Sequence, residues 1–262
     1  MVATKAGNPV NETHANSQGL SRKWLLKAMD DSLDRLKMDY VDIWYLHLDD
    51  YSTPLEEAVS AVADVLGSGR ALYWGVSNFR AWRICELVRL AEIAGIDKPV
   101  VCQPYYNAMN RMPEVEILPA CEYHGLGVVP YSPLARGVLT GKYKPGKAPP
   151  KGTRAGRKDV RMMESEFRDE SLVIAQKIKT HAEKKGMTAA DFAVNWVLAN
   201  PIVTSVLAGP RTLEQWKGYL GALAHGFDEE DEKLLDSLVT PGHPSTPGYS
   251  DPRYPITGRP VW

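Results

Sequence analysis

Residues able to do chemistry gather at a few points in this chain, most densely in Gly127–Lys142, GVVPYSPLARGVLTGK. Val128 and Val129 read as a short apolar strand running into Pro130. Tyr131 and Ser132 stand at its exit, where side chains leave a packed sheet and meet solvent. The loop beyond is made of small residues, with Gly137, Thr140 and Gly141, and carries Arg136 and Lys142. Glycine lets such a loop approach a ligand closely, so that backbone N–H groups, a hydroxyl and two cations can face an anion together. A flat aromatic at the mouth can stack on a planar ring. Strand exits of this composition also arise for purely structural reasons, and the rest of the chain has to decide between the two.

The other polar candidates are Lys5, His47, Ser77 with Asn78, Gln103, and Gly209 with Arg211, each at the end of a short run rich in β-formers. Every one has an ordinary role to set beside the chemical one. Lys5 alone is a surface lysine, and a histidine closing a strand is commonly a hydrogen-bonded structural group. Ser77 and Asn78 suit a helix N-cap, since both accept from orphan N–H groups. Gln103, between apolar residues and Pro104, must find a buried partner in backbone or ligand. Arg154 lies in a segment, 144–161, with seven Lys/Arg against one acid. That segment reads as a solvated, mobile loop, with an arm over a phosphate as the alternative. What gives the set weight is that all its members occupy equivalent positions.

Those positions follow from the elements. Residues 2–5 form a strand ending at Gly7, and a polar loop runs from Asn8 to Gly19. Ser21 caps a helix whose apolar positions Leu26, Met29, Leu33 and Leu36 recur at helical spacing. Tyr40–Leu48 is a dense β-forming run. Thr53-Pro54-Leu55-Glu56 reads as a capping box with proline at the first helical position. Further strands are expected at 72–76, 99–104 and 128–129, and a sixth at 204–208. Helices are expected at 84–91, 114–124, 170–185, 188–199, from Thr212 and from Asp228. The unit of strand, loop and helix recurs about every 30 residues, which implies parallel strands joined by helical crossovers. Residues 241–262 are proline-rich and aperiodic, a loop or tail.

Composition excludes several classes. The chain has 262 residues, 44% hydrophobic and 24% charged, with a formal net charge of −1. A nucleic-acid surface needs a basic excess, so none is expected. Cys85, Cys102 and Cys121 lie in or beside apolar runs, as reduced thiols of a cytoplasmic protein do, and show no metal-ligand spacing to histidines. No apolar run approaches the ~20 residues of a membrane span, and no signal-peptide pattern opens the chain. The expectation is a cytoplasmic protein that meets neither nucleic acid nor membrane and holds no metal.

Six strand–helix units allow two architectures. One is an open doubly wound sheet. The other is an eight-unit barrel, with its site on the loops leaving the strand C-termini, of which two units are not in this chain. No GxGxxG follows any strand, which counts against dinucleotide binding on an open sheet. There is also no G-x-S-x-G elbow, and Asp49-Asp50 are chain neighbours, not a carboxylate pair across a cleft.

The ordered pieces Thr4-Lys5, Tyr45-Leu-His47, Gly75-Val-Ser-Asn78, Gln103, Tyr131-Ser-Pro-Leu134 with Gly141-Lys142-Tyr143, and Gly209-Pro-Arg-Thr212 with Gln215 resemble the aldo-keto reductase superfamily over essentially the whole chain. The resemblance implies a single (β/α)8 TIM-type barrel domain over 1–262, with about six of its eight units present and the chain N-terminally incomplete. It implies NADP(H) as cofactor and an aldehyde or ketone as the small-molecule substrate. By the same resemblance, His47 orients the substrate carbonyl and Lys5 lowers the pKa of a catalytic tyrosine. Ser77, Asn78 and Gln103 hold the carboxamide, and Tyr131 stacks on the nicotinamide. Ser132, Pro133, Leu134, Gly137 and Lys142 cradle the pyrophosphate, with Arg154 over it. Gly209, Arg211 and Gln215 take the adenosine end, Arg211 pairing the 2′-phosphate.

Two departures stand out. The adenine-binding asparagine of the family is Tyr219 here. The family's catalytic aspartate and tyrosine have no match, so turnover by these 262 residues is expected to be impaired. Tyr45, on the strand face of His47, is the substitute acid to consider. Three functions are therefore weighed: an NADPH-dependent carbonyl reductase, a non-catalytic NADP(H)-binding regulatory or scaffold protein, and a phosphate-binding barrel lyase or isomerase with Lys5 as base. The last needs a desolvated lysine, and polar Thr4 and Gly7 beside it speak against that.

Overall fold

A computed structural model describes residues 1–10, 16–256 and 258. Part of the expected Asn8–Gly19 loop (11–15) and part of the tail (257 and 259–262) lie outside the described residues. The chain divides into two compact units, 1–104 with 116–129, and 105–115 with 130–262.

The first unit holds one parallel sheet in sequential order: β1 (Ala3–Ala6), β2 (Val41–Leu46), β3 (Ala71–Ser77), β4 (Val101–Gln103) and β5 (Gly127–Val128). The register places Lys5 beside Tyr45, Tyr45 beside Gly75, and Ser77 beside Gln103. The crossovers are α1 (Arg22–Leu36), α2 (Leu55–Gly67), α3 (Ala81–Ala94) and α4 (Ile117–His124). Trp44, Trp74, Leu46, Val76, Ile84 and Leu87 are fully buried between sheet and helices. Removing each such side chain from water contributes roughly 1.5–3 kcal/mol. Gly75 is required by this packing, because a β-carbon there would lie 2.6 Å from Val101 and 3.0 Å from the Tyr45 ring.

The second unit is helical around an irregular loop. It contains α5 (Val160–Ser165), α6 (Asp169–Lys184), α7 (Ala189–Ala199), α8 (Leu213–Ala222) and α9 (Glu229–Leu238). Phe192 and Trp196 of α7 are buried, and the Trp196 ring packs 4.9 Å from Tyr106. The helices expected from Thr188, Thr212 and Asp228 are present, each capped by that residue's side chain, with full capping boxes at Thr188 and Asp228.

Several local expectations are corrected. The sixth strand at 204–208 does not form; Leu207 makes a single parallel bridge to Tyr131, its N–H donating to the Pro130 carbonyl at 2.9 Å. Pro130 has no N–H to extend that ladder and Pro210 closes the segment. Thr53 is no N-cap: α2 begins after Pro54 without a side-chain cap, and the Thr53 hydroxyl donates to Asp50 at 2.6 Å. Ser77 and Asn78 do not cap α3, which starts after Arg80. The helix expected at 114–124 is a 3-10 turn, Met112–Glu114, followed by α4. The buried face of α1 is Trp24, Leu25, Ala28, Met29, Ser32 and Leu33, with Leu36 exposed. Cys102 and Cys121 are buried, whereas Cys85 is half-buried. Within the basic segment, Ala155–Arg157 forms a 3-10 turn before α5.

Candidate functional site

In the first unit, the strand ends bring His47, Ser77, Asn78 and Gln103 into one hydrogen-bonded rim, and Lys5 shares a cleft with His47. His47 follows β2, its N–H donating to the Ala6 carbonyl at 2.8 Å. The positive φ of Asn78 (+62°) turns its amide back across the strands, where it donates to the His47 carbonyl at 2.9 Å and to Ser77 Oγ at 3.0 Å. Ser77 Oγ in turn donates to the Gln103 carbonyl at 2.8 Å. Ser77 and Gln103 are both buried. Their polar groups thus have defined partners, as burial requires.

Lys5 and His47 share a cleft of about 100 Å³, which Asn8, Trp24 and Asp31 also line. Burial lowers the Lys5 pKa, and its ammonium lies 5.2 Å from the centre of the Tyr45 ring. Burial raises the pKa of the Tyr45 phenol, and a hydrogen bond with Gln103 offsets this in part. Tyr45 is only 4% exposed, so it is a core residue engaged by Gln103, which leaves it poorly placed as a substitute acid. Asn8 is a residue the sequence did not single out. Its amide nitrogen lies 2.7 Å from His47 Nδ1. An amide NH₂ can only donate, so Nδ1 accepts and the neutral imidazole carries its proton on Nε2. A larger cleft of about 450 Å³, lined by Tyr51, Trp82 and Arg83, holds none of the candidate residues.

In the second unit, the loop after Pro130 has an unusual backbone. Ser132 has φ +58°, and Ala135, Arg136 and Gly137 follow with +45°, +52° and +99°. The two L-residues of this run, Ala135 and Arg136, bear a left-handed cost of roughly 1–2 kcal/mol each, and the turn is closed from within, the Ala135 and Gly137 N–H groups donating to the Ser132 and Leu134 carbonyls at 2.9 and 2.7 Å. Lys142 lies against it: a β-carbon on Gly137 would sit 3.1 Å from its ammonium nitrogen. The amide of Gln176 on α6 pins the far end of the loop, donating to the carbonyls of Gly141 (3.0 Å) and Tyr143 (2.8 Å). Pro133 is buried and Leu134 half-buried beneath the turn.

Arg136 is not the second cation of this loop. It points inward, donating to Ser165 at 3.2 Å and lying 3.8 Å from the buried Glu166. Arg154 is paired with Asp159 at 3.1 Å. Tyr131 bridges to Tyr105 and to Leu207, and its ring centre lies 5.5 Å from that of Tyr105. Burial first of all, with the hydrogen bond to Tyr254 adding to it, raises the pKa of the Tyr131 phenol far beyond the physiological range. Arg211 and Gln215 are exposed at the start of α8, where Gln215 accepts from the Arg211 N–H at 2.7 Å. Tyr219 is hydrogen-bonded to the backbone of Gly209. Among the described residues, no cluster of three or more His, Cys, Asp or Glu could hold a metal ion, and no helix is long and apolar enough to cross a membrane.

A parallel α/β sheet with polar strand ends is followed in sequence by a loop with a left-handed backbone run that carries Lys142. The family model described as "Aldo/keto reductase family" matches residues 1–240, and the chain belongs to that family. It is 40% identical over 195 residues to a probable voltage-gated potassium channel subunit beta of Arabidopsis thaliana, covering 74% of this chain and 60% of the relative. It is 35% identical over 245 residues to the L-glyceraldehyde 3-phosphate reductase of Escherichia coli K12, covering 92% and 70%. It is 31% identical over 254 residues to the uncharacterized oxidoreductase YrpG of Bacillus subtilis, covering 95% and 75%. The chain thus spans about three-fifths of the length of the plant relative.

Proposed function

We propose that this protein is an NADPH-dependent oxidoreductase that reduces an aldehyde or ketone to an alcohol. The observation that carries this reading is the left-handed run Ala135–Gly137 with the Lys142 ammonium against it, a cradle for a pyrophosphate. Its fit to NADP(H) is supported by the cations present: Lys142 against the turn and an exposed Arg211 beyond Gly209. When bound, NADPH supplies the hydride.

The residues of this chain bind and orient. Tyr131 offers a ring face to the nicotinamide, and Ser77, Asn78 and Gln103 offer side-chain amides and a hydroxyl to its carboxamide. Ser132, Pro133, Leu134, Gly137 and Lys142 hold the pyrophosphate, with Arg154 released from Asp159 to cover it. Gly209, Arg211 and Gln215 hold the adenosine end, with Arg211 on the 2′-phosphate. The Nε2–H of His47 donates to the substrate carbonyl oxygen, which polarises it for attack and stabilises the developing alkoxide. Lys5 lines the same cleft as His47, where its ammonium would lower the pKa of a neighbouring proton donor.

The wider architecture we read as a (β/α)8 barrel. In its support, among the described residues β1 pairs with β2 alone, and α8 exposes Leu213, Trp216 and Leu220 along one face, with Leu223 just beyond. Such a face is what a neighbouring strand–helix unit covers.

A second reading is a cofactor-binding regulatory subunit, favoured by the 40% identity to the plant channel-subunit relative. Adding glyceraldehyde to the protein with NADPH and following absorbance of the reduced nicotinamide separates the two. Loss of absorbance supports the reductase, and binding without turnover supports the subunit.

A further inference from the structure

Glu166 is one of two acids of the second unit, with Asp231, that have no exposed surface. One carboxylate oxygen accepts from the Tyr105 hydroxyl, and the same oxygen lies 3.8 Å from Arg136 Nε. The other oxygen, Oε2, has no hydrogen-bond partner among the described residues. A buried carboxylate used this way opposes folding, since its second oxygen gives up water for nothing. A leucine would pack more favourably, so the value of the acid lies in what it holds.

It holds Tyr105. That residue is fixed at three points: its hydroxyl by Glu166, its carbonyl by the Asn110 amide at 2.8 Å, and its backbone by the bridge to Tyr131. Its ring stands 5.5 Å from the Tyr131 ring at an interplanar angle of 30°, within the range of favourable aromatic pairs. One face of Tyr131 is therefore backed by Tyr105, and Tyr105 is tethered by Glu166. Arg136 lies beneath the same carboxylate because its left-handed backbone turns it inward, which links the left-handed turn to the aromatic pair.

We propose that Glu166 is a positioning residue, setting the tilt of the Tyr131 ring through the Tyr105 hydroxyl. This rests on the reading of Tyr131 as the nicotinamide-stacking residue. Glu166 touches neither cofactor nor substrate; it acts by keeping one stacking partner from rotating.

The test uses the intact protein with Tyr105→Phe, Glu166→Leu and the conservative Glu166→Gln, whose amide oxygen still accepts. Affinity is read for NADPH and for 2′,5′-ADP, which carries the adenosine end alone. Tyr105→Phe and Glu166→Leu are expected to weaken NADPH about tenfold and leave 2′,5′-ADP unchanged, while Glu166→Gln stays near wild type. In a Tyr131→Ala background, Tyr105→Phe should have no further effect. Unchanged NADPH affinity in both disruptive variants, or equal losses for the two ligands, overturns the proposal. The ring-flip rate of isotope-labelled Tyr131, followed by NMR without ligand, separates the two claims. Faster flipping in Tyr105→Phe and Glu166→Leu supports the tether even if wild type binds no NADPH, which would overturn only the cofactor reading. An unchanged flip rate counts against the tether itself.

Discussion

The amide nitrogen of Asn8 meets Nδ1 of His47 at 2.7 Å, and this contact sets which imidazole nitrogen carries the proton. Replacing the donor by an acceptor should reverse the tautomer. In Asn8→Asp, Nδ1 must donate. Nitrogen NMR is expected to show the proton moved from Nε2 to Nδ1. An unchanged tautomer would remove Asn8 from the site.

Gly137 has φ +99°, and a β-carbon added to it would lie 3.1 Å from the Lys142 ammonium nitrogen. Gly137→Ala adds backbone strain of roughly 1–2 kcal/mol and displaces the lysine. NADPH affinity should fall about tenfold or more, a loss of about 1.4 kcal/mol. Gly67→Ala, whose added β-carbon meets nothing within 4 Å, serves as the control. Equal affinities in the two variants would argue against the cradle.

Arg211→Ala separates cofactors. A guanidinium–phosphate contact is worth about 1.5–3 kcal/mol, so the variant should lose about tenfold or more for NADPH and little for NADH. Parallel losses would remove Arg211 from the 2′-phosphate.

The two halves of the site were not equally legible in the sequence. Strand exits at Lys5, His47, Ser77 and Gln103 could be read because a parallel sheet makes successive exits equivalent; the register sets Ser77 beside Gln103 and Lys5 beside Tyr45, two residues before His47. The cap at Ser21 followed from local chemistry alone. Thr53 looked like a cap in the same way, but Asp50 competes for its hydroxyl. Residues 204–208 have strand composition, yet a strand depends on the ladder its neighbour offers, and Pro130 interrupts that neighbour. Asn8 and Glu166 carried no motif at all. One sits two residues after a strand in a polar loop; the other is one of several acids in a segment of mixed charge, 161–170. Arg136 read as a loop cation because its inward turn depends on φ +52°, which composition does not encode.

Two buried acids should respond to pH in opposite directions. Burial pushes the Asp50 carboxyl up, but hydrogen bonds from Ser52, Thr53 and the Leu20 N–H bring it down to about 2. Its folded pKa lies below the unfolded one, so its stabilisation is full above about pH 4 and is lost as pH falls through about 2. Burial raises the pKa of Glu166, against the opposing Tyr105 bond and the Arg136 charge. Its contribution is full below about pH 4.3 and is lost as pH rises through the folded value. Denaturation of Asp50→Asn and Glu166→Gln against wild type across this range checks both signs. The Asp50 advantage should grow with pH and the Glu166 advantage should shrink.

The central claim is that the loop Ser132–Lys142, together with Tyr131, forms half of an NADP(H) site. Titrating the protein with NADPH and following nicotinamide fluorescence addresses it most directly. The account predicts saturable binding that 2′,5′-ADP competes away and that Lys142→Ala weakens. No fluorescence change at millimolar NADPH, or binding that Lys142→Ala and 2′,5′-ADP both leave untouched, would contradict it.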